Sequence, residues 1–121
     1  MTRFRAGAAG LFLLASGALA GEADVVGVEV VRDAAGRYGF AVSVRHDDSG
    51  WEHYADRWEV LSPDGEVLGT RVLFHPHVGE QPFTRSLGGV EIPPGVDRVR
   101  VRARDSVHDF GGAEVQVELP H

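Results

Sequence analysis

The segment VLFHPHVGEQP, Val72 to Pro82, sets two histidines around a proline. Pro76 biases His75 toward an extended backbone. In an extended backbone residues i and i+2 project to one side, about 6–7 Å apart. Two imidazoles at that spacing can reach one ion through bonds of about 2 Å. The same residues also make a rigid polar turn with solvated rings. The choice between the two depends on what else is brought to the same place.

Two other segments carry donors. HDDSGWEHY holds His46, Asp47, Asp48, Glu52 and His53, and DSVHDFGG holds Asp105, His108 and Asp109. Glu80 follows the HPH pair. The chain has no cysteine, which excludes thiolate metal sites and cysteine nucleophiles. Its one methionine is Met1, which removes a thioether site for Cu(I). Imidazole and carboxylate together suit Zn(II) or Cu(II). Ser49 and Ser106 lie near histidines but in no nucleophile motif, so no hydrolytic triad is indicated.

The elements that must position these groups read as strands. Seven segments alternate apolar and polar residues: DVVGVEVVRD, RYGFAVSVRH, YADRWEVLS, EVLGTRVLF, FTRSLGGVEI, DRVRVRARD and AEVQVEL. Turn chemistry (DAAGR, SPDG, IPPG) separates several of them, and no segment keeps a helical period. The expectation is an all-β, seven-stranded immunoglobulin- or fibronectin-like sandwich, with a small closed barrel as the alternative. Alternate connections of such a sandwich emerge at opposite ends. Sorted this way, His46, His53, His75, His77 and His108 fall at one pole, and only His121 lies elsewhere. His46 continues the inward phase of Val42 and Val44, and Asp105 continues that of Val99, Val101 and Ala103. An inward imidazole and an inward carboxylate at the mouth of a core must find partners. A plain His–Asp hydrogen bond is one solution and a shared metal is the other.

Residues 1–20 read as a secretory signal: Arg3 and Arg5, then the apolar GLFLLA centre, then Ala18-Leu19-Ala20 as an A-x-A cleavage site. The apolar run is too short to span a bilayer, with a short membrane anchor as the other reading. The expected product is a single domain over 21–121, periplasmic or secreted, with no membrane insertion after cleavage. Its removal takes away two arginines and no acid, moving the net charge from −6 to −8. Such a charge repels nucleic acid and anionic lipid. The row Arg98, Arg100, Arg102 and Arg104 therefore reads as a salt-bridge ladder against Glu114 and Glu118 rather than as a nucleic-acid stripe. All 12 basic residues are arginine and asparagine is absent, which reads as the codon usage of a GC-rich bacterium.

The stretch EHYADRWEV, Glu52 to Val60, and the stretch DSVH, Asp105 to His108, together resemble the iron centre of superoxide reductase, the desulfoferrodoxin and neelaredoxin group. The resemblance implies an immunoglobulin-like domain. It makes His46, His53 and His108 the counterparts of family ligands and puts Asp105 where the family has its cysteine. The loop spacing differs by one residue, and the family's N-terminal histidine has no equivalent. FHPHVGE also resembles, faintly, the copper motif of Cu,Zn superoxide dismutase, without its second histidine motif and cysteines. The leading expectation is an exported sandwich that binds Zn or Cu through His46, His75, His77 and His108, with Asp105 as ligand or its support. His53, Asp48 and Glu80 are reserves. A second expectation is an interaction module docking an exported protein or glycan through Trp51 and Tyr54, and a third is a redox metalloenzyme.

Overall fold

The computed structural model describes residues 12–14 and 21–121. The expected signal segment lies outside the described residues except for Phe12–Leu14, which forms strand β1. The remaining strands are β2 (Asp24–Arg32), β3 (Tyr38–Arg45), β4 (Ala55–Leu61), β5 (Val67–Val72), β6 (Phe83–Val90), β7 (Arg98–Asp105), β8 (Asp109–Phe110) and β9 (Glu114–Glu118). All seven expected strands are present, and β1 and β8 are short additions. Two separate sheets form, one in the order β1-β9-β7-β4-β5 with β8 on β7, the other β2-β3-β6. This is a sandwich and not the closed barrel. β5 pairs with β4, so the sheet of β4, β7 and β9 is the larger one. Among the described residues no helix is long and apolar enough to cross a membrane.

The period-two pattern explains the core. Val99, Val101 and Ala103 of β7 point inward and are buried, as are Val115 and Val117 opposite them on β9. Val42 and Val44 of β3 and Val28 and Val30 of β2 face them from the other sheet, around Trp58 and Phe40. Each buried valine contributes roughly 1.5–3 kcal/mol over leaving it exposed. Three of the four outward arginines of β7 are paired with acids, only one of them on β9. Arg100 pairs with Glu114 at 2.9 Å, Arg102 with Glu59 of β4 at 2.9 Å, and Arg104 with Asp56 and, at 2.7 Å, Asp109. A ladder between β7 and β9 alone was expected. The acids of β4 and β8 complete it, because β7 lies between β4 and β9.

What positions the site is the end of the sandwich where β3, β5 and β7 stop. The loops β3–β4, β5–β6 and β7–β9 meet there. His77 N–H in the second loop donates to Asp48 Oδ2 in the first at 2.7 Å, and Asp48 contacts the His46 ring. His46 in turn reaches Asp105 at the end of β7.

Candidate metal centre

β3 and β7 lie in different sheets, and the inward phase of each runs one step beyond the apolar core. His46 is 2% exposed and Asp105 is fully buried. Asp105 Oδ2 is the point of convergence. His46 Nε2 lies 3.0 Å from it, His53 Nε2 3.1 Å and His108 Nδ1 3.0 Å. The donor atoms of His46, His53 and Asp105 are all within 4.8 Å of one another. The His53 ring stands between the other two, its centroid 4.8 Å from that of His46 and 4.9 Å from that of His108.

The other side of each group is fixed. Asp105 Oδ1 accepts the N–H groups of Val107, at 2.9 Å, and of His108. His46 Nδ1 meets Asp48 Oδ1, which also accepts the Ala55 N–H at 3.1 Å. Gln81 Oε1 accepts the His46 N–H at 2.9 Å. Burial works against ionising Asp105. The hydrogen bonds from the His108 main chain and ring, the His53 ring and Val107 outweigh it and hold the carboxyl well below the ordinary range. The Asp105 carboxylate raises the pKa of His108 in return, against the lesser opposing effect of desolvation.

A neutral imidazole has one donor nitrogen. With the His46 hydrogen on Nδ1 toward Asp48, Nε2 turns its lone pair on Asp105 Oδ2 and, at 3.0 Å, on the carbonyl oxygen of Gly21. Facing lone pairs at that distance repel unless a proton or a cation lies among them. Asp105 Oδ2 also meets three ring nitrogens, more than its two lone pairs accept in good geometry. A tetrahedral ion with bonds of about 2.0–2.1 Å separates its ligand atoms by about 3.3 Å. The observed separations of 3.0–3.1 Å are close to that edge. A carboxylate behind the imidazole is also the usual support of a metal-bound histidine.

The structure separates the expected ligands into two groups. His46, Asp105 and His108 come together with His53, which had only a reserve place. His75 and His77, which were expected to supply half the ligands, are not in that convergence. Their rings do lie close, 4.8 Å between centroids. His77, however, is buried with its ring stacked on Phe83 at 4.0 Å, and its Nε2 accepts from Arg85 at 2.9 Å. Burial, then the Arg85 and His75 charges, lower its pKa. His75 is exposed, with Nδ1 3.3 Å from the Pro76 carbonyl oxygen. Glu80 is exposed, and Asp48 stands behind His46 rather than among the converging atoms. Trp51 is 67% exposed and packs edge-on to Tyr54 at 5.6 Å. The carbonyl oxygen of Gly21, 3.2 Å from His53 Nε2, was not foreseen, because a glycine offers no side-chain signal.

No family model matches the chain, and no solved structure matches it. A protein of Halomicrobium mukohataei named "Putative lipoprotein" is 43% identical over 98 residues, which is 80% of this chain and 47% of that protein. The chain thus spans about half the length of the curated relative it matches.

Proposed function

We propose that the protein is an exported β-sandwich that binds a divalent metal through His46, His53 and Asp105, with His108 as the fourth ligand. The convergence of three imidazole nitrogens on Asp105 Oδ2 at 3.0–3.1 Å carries this reading. The donor set of nitrogen and oxygen atoms suits Zn(II) or Cu(II). Export rests on the signal-like residues 1–20 and on the lipoprotein name of the relative. Only export is taken from that name, since these 121 residues hold no cysteine for an S-linked lipid.

Elemental analysis of the protein purified from the exported fraction tests the reading. One equivalent of Zn or Cu, or uptake of one on titration, is the expected result. Metal-free protein that takes up neither would refute it.

One observation supports a redox role at the same centre. The residues that the superoxide reductase resemblance matches, His46, His53, Asp105 and His108, are the ones that converge, whereas the pair chosen by spacing alone is not. Two histidines and a carboxylate also form a set that holds Fe(II) with open positions. Asp105 in place of the family's cysteine withholds the thiolate, so the family's reactivity is not carried over. A reversible voltammetric wave from the iron-loaded protein supports this role, and its absence in protein that binds iron would refute it.

A further inference from the structure

The segment before β2 reaches into the same centre. Gly21 is the residue whose carbonyl oxygen lies 3.0 Å from His46 Nε2 and 3.2 Å from His53 Nε2. That oxygen, Asp105 Oδ2 and the two Nε2 atoms alternate around a ring of four contacts, all between 3.0 and 3.2 Å. Its φ is +92°, and a Cβ there would lie 2.8 Å from His108 Cε1. Only glycine lets the backbone come this close to the third imidazole.

The residues that follow hold Gly21 in place. Ala23 is buried, Val25 N–H donates to the Ala113 carbonyl at 2.9 Å, and Ala113 N–H donates to Asp24 Oδ1 at 2.8 Å. Gly111 and Gly112 have no Cβ where one would overlap the Glu22 carboxylate and the Ala23 main chain. A segment this firmly docked can present a ligand atom rather than fray once it becomes a terminus.

We propose that Gly21 becomes a main-chain ligand of this ion when the chain is cut between Ala20 and Gly21. The cut is a hydrolysis: water adds its hydroxyl to the Ala20 carbonyl carbon, the C–N bond breaks, and Gly21 nitrogen takes the proton. Before it, that nitrogen is an amide whose lone pair is delocalised into the carbonyl, so Gly21 offers only oxygen. Afterwards the same residue offers an amine and a carbonyl oxygen three bonds apart, which close a five-membered chelate ring on one cation. Export then completes the metal site, and the uncut chain binds metal less well. This inference rests on the metal reading above and on the A-x-A cleavage site.

The chain has no lysine, so its α-amine is the one primary amine an acylating reagent meets. The test uses exported protein whose terminus is read by intact mass and is expected at Gly21. Half is stripped of metal and acetylated at the α-amine. Zn(II) and Cu(II) affinities of both halves are then measured by competition with a chromophoric chelator. Acetylation is expected to weaken binding by at least about tenfold, the lower end of what losing a supporting group costs a metal site. Bound metal should also slow the acetylation. Equal affinity with no protection, or a terminus other than Gly21, would overturn the inference and leave the side-chain site standing. Binding in neither half would overturn both.

Discussion

Asp105→Asn tests the centre most directly, because asparagine keeps the shape and removes the charge. Its Oδ1 can still accept from Val107 and His108, while its amide nitrogen then faces the three imidazoles and cannot accept from any of them. Hydrogen bonds to a charged group contribute about 1.5–3 kcal/mol each. Three sharing one oxygen do not add, so the better guide is the about 3–5 kcal/mol lost when one partner of a buried charged pair is removed. Taking about 3 kcal/mol, the melting temperature in chelator should fall by about 12–24 °C, at 4–8 °C per kcal/mol for a domain of this size. Metal at a hundredfold excess over Kd stabilises the parent by about 2.7 kcal/mol. If the variant binds a hundredfold more weakly, the same metal adds only about 0.4 kcal/mol. Urea and thermal melts with and without Zn(II) at pH 7.5 measure both terms. A variant within about 1 kcal/mol of the parent and equally stabilised by metal would refute the reasoning.

Gly21→Ala puts a methyl group against His108 at a positive φ, which should cost about 1–3 kcal/mol and weaken metal binding. A urea midpoint and metal affinity equal to the parent's would show that the approach is not tight. His75→Ala should leave stability within about 0.5 kcal/mol and metal binding unchanged, as for an exposed residue. His77→Ala should also leave metal binding unchanged but lower stability by about 2 kcal/mol, since a buried ring is removed. Loss of metal uptake in either would restore the HPH pair to the site. His77 further predicts a pH effect in metal-free protein. Its pKa is lowered in the folded state, so the unfolded chain takes the proton first, and its contribution, present above the ordinary value of 6.5, is lost as pH falls below it. Urea melts at pH 7.5, 6.5 and 5.5 should show a steeper loss in the parent than in His77→Phe, and identical slopes would contradict the assignment.

The strands and the pole were legible because both follow from a period of two. The same period carried His46 and Asp105 inward, each two residues beyond the last inward apolar residue of its strand, Val44 and Ala103. Legibility stopped where the period stops. His53 sits in an irregular loop with an isolated bridge to Gly50, and nothing in its spacing says that its ring turns to Asp105. The HPH spacing placed two rings together correctly but could not say what they face. Asp48 takes the His77 N–H, and Phe83, on the first position of β6, takes its ring. Those partners are 29 residues away and 6 residues away, and neither spacing is a local signal. His46 and Asp105 were legible because they continue a strand, and His53 was not because its position depends on a loop that no period describes.

Charge balance gives the strongest reason for a divalent ion. The side chains of Asp48 and Asp105 are fully buried, and both contact His46, which is fully buried too. No arginine hydrogen-bonds to either carboxylate among the described contacts. Two buried negative charges without a counter-charge are costly, by several kcal/mol each after relaxation. In metal-free protein the Asp105 carboxylate raises the pKa of His108 and so favours a compensating proton there. A divalent cation among neutral imidazoles would cancel both charges at once and displace that proton. Binding should therefore release protons, and its affinity should fall steeply below about pH 6. A monovalent ion would leave one carboxylate uncompensated and the ring lone pairs only weakly held. The proposed site would thus match a cation in charge as well as in donor atoms, since Asp105 is buried among the imidazoles and Asp48 behind His46 at the mouth of a valine core.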